Sequence, residues 1–364
     1  MKVPYVDLPG QYRAQREEIL AAVDAVMDSG KYIQGDEVSS FEKRMADICG
    51  VRHCIAVANG TDALIMAMEA YGIGPGHEVI TTANSWISSA SSIVLLGARP
   101  VFVDVGPDQN MDPTLLEACI TKNTKAIMPV HLTGKCAPMK PILEIAAKYG
   151  LPVIEDAAQA VGATYYGAKA GSLGQVACFS LHPLKNLNAM GDAGALTTND
   201  DHLARRLRLL GNHGMETRNH HLQWGRNSRL DSLQAAILNT RCNLLDNIIK
   251  ARRRNAKRYQ QALNHLVICP EDAPHCRDSY HLFVIQTHQR DSLKAYLKSK
   301  NISSAIHYPK PIHLQPCAKE LGYPEGSLPE TEQQSKRILS IPVHHMLSDA
   351  QVDHVINTIC HFFK

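Results

Sequence analysis

Pro152-Val153-Ile154-Glu155-Asp156-Ala157-Ala158-Gln159-Ala160 reads as an apolar strand that delivers two acids and then a short turn. Similar β-branched runs stand at residues 54–58, 79–82, 100–105, 126–131, 176–181 and 195–198, and helical patterns fit between most of them. After Ala58, the residues Leu64, Ala67, Met68 and Tyr71 recur at i, i+3, i+4 and i+7, an amphipathic helical stripe. Strands alternating with helices predict an α/β fold whose mostly parallel, seven-stranded sheet is covered on both faces. Ligands of such sheets bind near the carboxyl ends of the strands.

The pattern changes at residue 229. Leu230, Leu233, Ile237, Leu244 and Ile248 form one apolar seam through residues 229–263 without Gly or Pro, which predicts a single long connector helix. Beyond it, residues 280–286 read as a strand, and Ser348 with Gln351 is a capping box opening a last helix through Phe362. The expected organisation is a large domain at residues 1–245 and a smaller C-terminal α/β domain at 246–364, in keeping with a chain of 364 residues.

Thirty-eight basic against 35 acidic side chains, a formal charge of +3, argue against a surface for nucleic acid or another polyanion. The run Lys250, Arg252, Arg253 and Arg254 falls in a helical pattern and reads as a solvated helix face. No apolar stretch approaches the length that spans a bilayer, and residues 1–10 lack the pattern of a signal peptide, so a cytoplasmic protein is expected. The 10 cysteines are scattered without a Cys-x-x-Cys pair and read as reduced thiols; no spacing suggests a metal site. Gly72-Ile73-Gly74-Pro75-Gly76 lacks the third glycine of a dinucleotide loop and reads as a turn. Most of the 18 histidines, His344 and His345 among them, read as surface or core residues.

Three strand ends carry the chemistry. In the first, residues 56–64, a strand is followed by Asn59, Gly60 and Thr61 and then a helix. The free N–H groups of a helix's first turn attract a phosphate, although the same residues also suit a plain N-cap. In the second, Asp156 at the end of its strand can keep a pyridine nitrogen protonated, which turns the ring into an electron sink; a helix-capping Asp is the bland alternative. Gln159 would share a face with it, and Ala158 is small enough to let a flat ring approach. In the third, Cys178-Phe179-Ser180-Leu181-His182-Pro183-Leu184-Lys185-Asn186, a strand ends at a hydroxyl and a proline-containing turn presents a lysine. A lysine that attacks an aldehyde must be neutral and so needs a sheltered setting; a lone lysine after a strand is ordinarily just exposed.

Taken together, these segments resemble the DegT/DnrJ/EryC1/StrS sugar aminotransferases, fold-type I enzymes that use pyridoxal 5'-phosphate. The resemblance runs through residues 29–35 with Phe41-Glu42, then 58–64, 130–134, 155–162, 179–186 with Gly191-Asp192, 227–236 and 307–316. It implies that Lys185 forms the Schiff base and shuttles the proton, that Asp156 pairs with the pyridine nitrogen, and that Gln159 lies near the ring hydroxyl. It further implies phosphate binding by Gly60, Thr61 and Ser180, and an aromatic, Trp86, over the ring. By the same resemblance Asn227 reaches the cofactor of a neighbouring subunit in a homodimer with shared sites, with Arg229 near the same place. His307 and Tyr308 would line the pocket of the acceptor, a keto- or aldehydo-sugar, nucleotide-linked or free, and L-glutamate would be the amino donor. The pathway implied is amino-sugar biosynthesis for surface polysaccharide such as lipopolysaccharide, or for secondary metabolism. Two departures touch the shape of the pocket: Leu184 stands where a small hydroxylic residue is common, and Ala193 where a second glycine often follows. Two rivals remain open. One is a sugar dehydratase working with the amino form of the cofactor, whose usual histidine is Lys185 here. The other is a regulator that binds the cofactor without catalysis.

Overall fold

The computed structural model describes residues 1–364, and each apolar run forms a strand, although the run expected at 126–131 is strand only as far as Ile127. These are β1 (His53–Val57), β2 (Glu78–Thr82), β3 (Arg99–Val103), β4 (Thr124–Ile127), β5 (Ile154–Asp156), β6 (Val176–Ser180) and β7 (Gly194–Thr198). Ladders join β1, β7, β6 and β5 in that order, and β3, β2 and β4 in another set. Parallel bridges from Ile127 to Val153 and from Val130 to Asp156 connect the two sets between β4 and β5. The sheet therefore runs β1-β7-β6-β5-β4-β2-β3, and β7 alone is antiparallel to its neighbours.

Burial explains why these runs are nearly continuous in apolar residues. Val57, Val79, Ile154 and Leu196 pack one face of the sheet into a core with the helix α1 (Gly60–Ala70), while Ala56, Ala177, Phe179 and Ala195 pack the other face against Phe41 and Met45. The stripe expected on α1 is too narrow a reading. Ala63, Leu64, Ile65, Met66, Ala67 and Met68 are all buried, and Tyr71 is the C-cap. A helix apolar all round belongs inside a core, which is where α1 runs.

The expected single connector is two helices, α2 (Ser232–Cys242) and α3 (Leu245–Leu263). The break falls at Asn243 and Leu244. Asn243 lends its side-chain oxygen to Arg44, 2.6 Å away, and short amides of this kind are poor helix formers. The apolar seam survives the break because residues on both sides still pack inward. Leu245 and Ile249 join the core around Phe41, whereas Ala256, Tyr259 and Leu263 join a second core with Phe283, Ile341 and Val355.

That second core covers an antiparallel pair, β8 (Phe283–Gln286) and β9 (Ile338–Ile341), and the last helix α4 (Asp349–Phe362). Ser348 and Gln351 make both halves of the capping box at its start. The strand expected at 280–286 begins only at Phe283, since Tyr280 has a φ of 46° and cannot lie in a strand. Val3 also belongs to this core, bridged in parallel to Ile302. The basic run departs from expectation in one respect: Arg254 is exposed, but Arg252 is buried against Tyr280 and His281. Gly72 and Gly76 both have positive φ, as the turn reading of that stretch requires.

Candidate functional site

The carboxyl ends of β1, β5 and β6 open on one cavity of about 400 Å³. At the end of β1, the Asn59 side chain caps α1 by accepting the Asp62 N–H at 2.8 Å. The N–H groups of Gly60 and Thr61 lie in the first turn, where no carbonyl of the helix can serve them, and both residues line the cavity. Ser180, at the end of β6, comes so close that a Cβ on Gly60 would stand 2.7 Å from its own Cβ. A Cβ on Gly194, at the start of β7, would likewise fall 2.4 Å from the Asn59 carbonyl oxygen. Two glycines thus let three backbone segments converge on one concave, N–H-lined corner.

Strand alternation separates the two acids of β5. Glu155 points away from the cavity, accepts the N–H groups of Gly171, Leu173 and Gly174 at 2.7–2.9 Å, and meets His131 at 2.9 Å. It fastens a loop. Asp156 faces the cavity, buried, with Ser89 Oγ donating to Oδ2 at 2.7 Å and the Ala158 N–H to Oδ1 at 3.3 Å. No basic side chain forms an ion pair or hydrogen bond with it, so desolvation raises its pKa against the opposing pull of the Ser89 and Ala158 bonds and the more distant charge of Lys185. Gln159 is held by the Thr133 N–H on its side-chain oxygen at 2.8 Å, and its amide donates to the Tyr308 hydroxyl at 3.3 Å.

Lys185 sits on the turn after β6, where its N–H donates to the His182 carbonyl at 2.8 Å. The turn is pinned by Asn186, whose amide donates to Ser279 at 3.0 Å. Protein surrounds Lys185 on every side but the cavity, and this desolvation lowers its pKa to about 8, with the Asp156 charge pulling the other way. Across the opening, Trp86 is 59% exposed, its ring centroid 5.9 Å from that of Tyr308. A half-open tryptophan at a cavity mouth is a free apolar face.

Gly60, Thr61, Trp86, Asp156, Ala158, Gln159, Ser180, Lys185, His307 and Tyr308 therefore meet in one cavity. Asn227 and Arg229 do not. They lie outside it, Asn227 exposed and accepting a hydrogen bond from Arg229 Nε at 2.7 Å. Sequence reasoning missed Ser89, which sits 67 positions from the carboxylate it serves in an undistinguished serine-rich helix, Ser88–Leu95. It also missed Tyr5, Arg252 and His281 on the cavity wall. The first belongs to the extreme N-terminus and the second to the run taken as solvated; nothing in either local pattern marks a cavity.

The family model described as "DegT/DnrJ/EryC1/StrS aminotransferase family" matches residues 13–360. The chain is similar to a "Pleiotropic regulatory protein" of Geobacillus stearothermophilus, 43% identical over 100% of this chain and 99% of that one. It is also similar to the UDP-2-acetamido-2-deoxy-3-oxo-D-glucuronate aminotransferase of Pseudomonas aeruginosa, 41% identical over 96% of this chain and 97% of that one. Among solved structures, Streptomyces venezuelae DesV in complex with a ketimine intermediate superposes with a TM-score of 0.98, 40% identity, and coverage of 100% and 99%. Bacillus subtilis NtdA with bound cofactor PMP superposes with a TM-score of 0.93, 31% identity, and coverage of 100% and 85%. No helix of the chain is long and apolar enough to cross a membrane.

Proposed function

The chain belongs to the DegT/DnrJ/EryC1/StrS aminotransferase family, and from that premise we propose how its cavity works as that of a pyridoxal-phosphate-dependent sugar aminotransferase in amino-sugar biosynthesis. The observation that carries the reading is a pair on one cavity wall: a lysine whose proton is loosened by enclosure, and a buried carboxylate that no cation ion-pairs.

The residues present fit the cofactor. The corner formed by Gly60, Thr61 and Ser180 offers unused N–H groups and a hydroxyl at a helix N-terminus, and a side chain at residue 60 would fill it. Asp156 lacks the positive partner that a protonated ring nitrogen would provide. When bound, pyridoxal phosphate supplies a carbonyl that exchanges for an amine and a ring that stores an electron pair.

Within this chain, Lys185 Nζ holds the cofactor and moves the proton in both halves of the reaction. Asp156 would pair with the ring nitrogen and favour its protonated form, and the Ser89 hydrogen bond favours the ionised form of Asp156. Gln159, fixed by the Thr133 N–H, Trp86 and Ala158 would hold the cofactor ring, Gln159 through a hydrogen bond to its hydroxyl, Trp86 by stacking and Ala158 by its small size. His307 and Tyr308 face the acceptor, a keto- or aldehydo-sugar, and L-glutamate is the donor. Asn227, exposed and remote from its own cavity, completes the partner's phosphate site in a homodimer, with Arg229 beside it. The large domain spans residues 1–245 and the small one 246–364. Lys185, where a dehydratase of this family carries histidine, favours amine transfer over dehydration.

The test is a two-stage assay on the purified holoenzyme. L-glutamate should abolish the visible absorbance of the lysine-bound cofactor, and a keto-sugar from a panel of nucleotide-linked and free compounds should restore it. Lys185→Ala should lack the starting band and all turnover. A holoenzyme whose spectrum ignores every amino donor would instead be a cofactor-binding regulator. For the shared site, Lys185→Ala and Asn227→Ala chains are mixed; activity should partly return once subunit exchange is confirmed by mass.

A further inference from the structure

The cavity contains a positive charge that the proposed chemistry does not use. Arg252, on α3, is only 4% exposed, yet it lines the cavity. Its Nη1 donates to the carbonyls of Tyr280 and His281 at 3.0 and 3.1 Å. Its Nε is sealed in protein without an acceptor. Nη2 has no protein partner and is not sealed, and Arg252 lines the cavity.

No carboxylate answers this guanidinium. Tyr5 is the one acid–base group that favours its charged form, and the Tyr5 hydroxyl, itself pushed well up by burial, stays neutral. The Arg252 pKa falls with burial only to about 10, so the group remains cationic at neutral pH. The other titratable side chains around it, His281, His344 and His345, have their pKa lowered by burial and by the Arg252 charge, and they add no counter-charge. A buried cation is ordinarily paired, because an unpaired one is costly. One that faces a substrate cavity is completed by what enters the cavity. The partner that matches a guanidinium best is a planar, two-oxygen anion.

We propose that Arg252 is the carboxylate-recognising group of this active cavity. The inference rests on the aminotransferase reading. Two reactants can bring the carboxylate: the amino-acid donor, or a sugar acid as acceptor.

Equilibrium binding to the holoenzyme separates these sources without turnover. Glutarate stands for the donor, UDP-glucuronate for an acidic sugar, and UDP-glucose for its neutral counterpart. Each is titrated by calorimetry into wild type, Arg252→Gln and Arg252→Lys. Glutamine keeps a donor for the two backbone carbonyls but drops the charge; lysine keeps the charge but loses the fork. Arg252→Gln should weaken at least one carboxylate ligand by about ten- to a hundred-fold, the scale of a charge-assisted pair, and leave UDP-glucose within about two-fold. Arg252→Lys should fall between. Loss confined to glutarate assigns the donor, loss confined to UDP-glucuronate assigns the sugar acid, and loss of both assigns one site used by either. Unchanged affinity for all three ligands, or an equal fall for all three, overturns the proposal. Failure of the wild type to aminate any sugar would instead overturn the proposed function, and the binding data would stand apart from it.

Discussion

The depressed pKa of Lys185 makes capture of pyridoxal phosphate by the apoprotein strongly dependent on pH. Only the uncharged amine attacks an aldehyde. With the pKa at about 8, roughly one molecule in ten carries a neutral Lys185 at pH 7, against about one in three thousand for a lysine at 10.5. The net shift, desolvation against the Asp156 charge, therefore raises the reactive fraction about 300-fold at neutral pH. The capture rate, followed by stopped-flow absorbance, should climb about tenfold from pH 7 and level off above pH 9, where free N-acetyl-lysine would still be rising about tenfold per pH unit. Asp156→Asn provides the internal check. The Asp156 charge is what holds the lysine pKa up, so its removal should move the midpoint below that of wild type and flatten the profile near neutrality. A wild-type rate still rising tenfold per unit above pH 9, or a midpoint that moves upward in Asp156→Asn, would refute the reasoning.

Further consequences follow from the same geometry. Lys185→Met should stabilise the apoprotein at pH 7 by about 1–3 kcal/mol in urea melts, the shift being discounted because the side chain is partly open to the cavity. The sign is fixed by linkage. The folded state holds its proton less tightly than the unfolded state, so the advantage is full below about pH 8 and gone by pH 10.5. Ser89→Ala removes the strongest donor to Asp156; kcat/KM should fall about tenfold, and the acid limb of the profile should move to higher pH as the carboxylate pKa rises further. Gly60→Ala places a Cβ 2.7 Å from that of Ser180, so fluorescence titration should show cofactor affinity weakened about ten- to a hundred-fold while the fold persists. Unchanged cofactor affinity would mean that this corner does not hold the phosphate.

Much of the molecule was legible in its sequence, for reasons of local physics. A strand buried on both faces must be apolar along its length, so seven such runs could be counted without any structure. The capping box at Ser348 involves residues three apart and needs nothing from the rest of the chain. The strand-end residues Gly60, Asp156, Ser180 and Lys185 were readable because strand ends in such sheets share one edge.

What tertiary structure alone decided lies in pairings across long separations. Which of the two β5 acids faces the cavity depends on where the sheet's faces lie; Glu155 became a loop fastener and Asp156 the cavity acid. The connector's break at Asn243 arises where Arg44, 199 positions away, takes its side chain. Arg252 belongs to the same basic run as Lys250 and Arg254, which are exposed. Only the packing of α3 across two cores turned it inward, because a helix buried on one side must bury whatever residue falls there, charged or not. Sequence fixes which groups a chain owns and how each segment prefers to lie; desolvation and charge come from the groups that distant segments bring within a few ångströms, and these set the chemistry of Lys185 and Arg252.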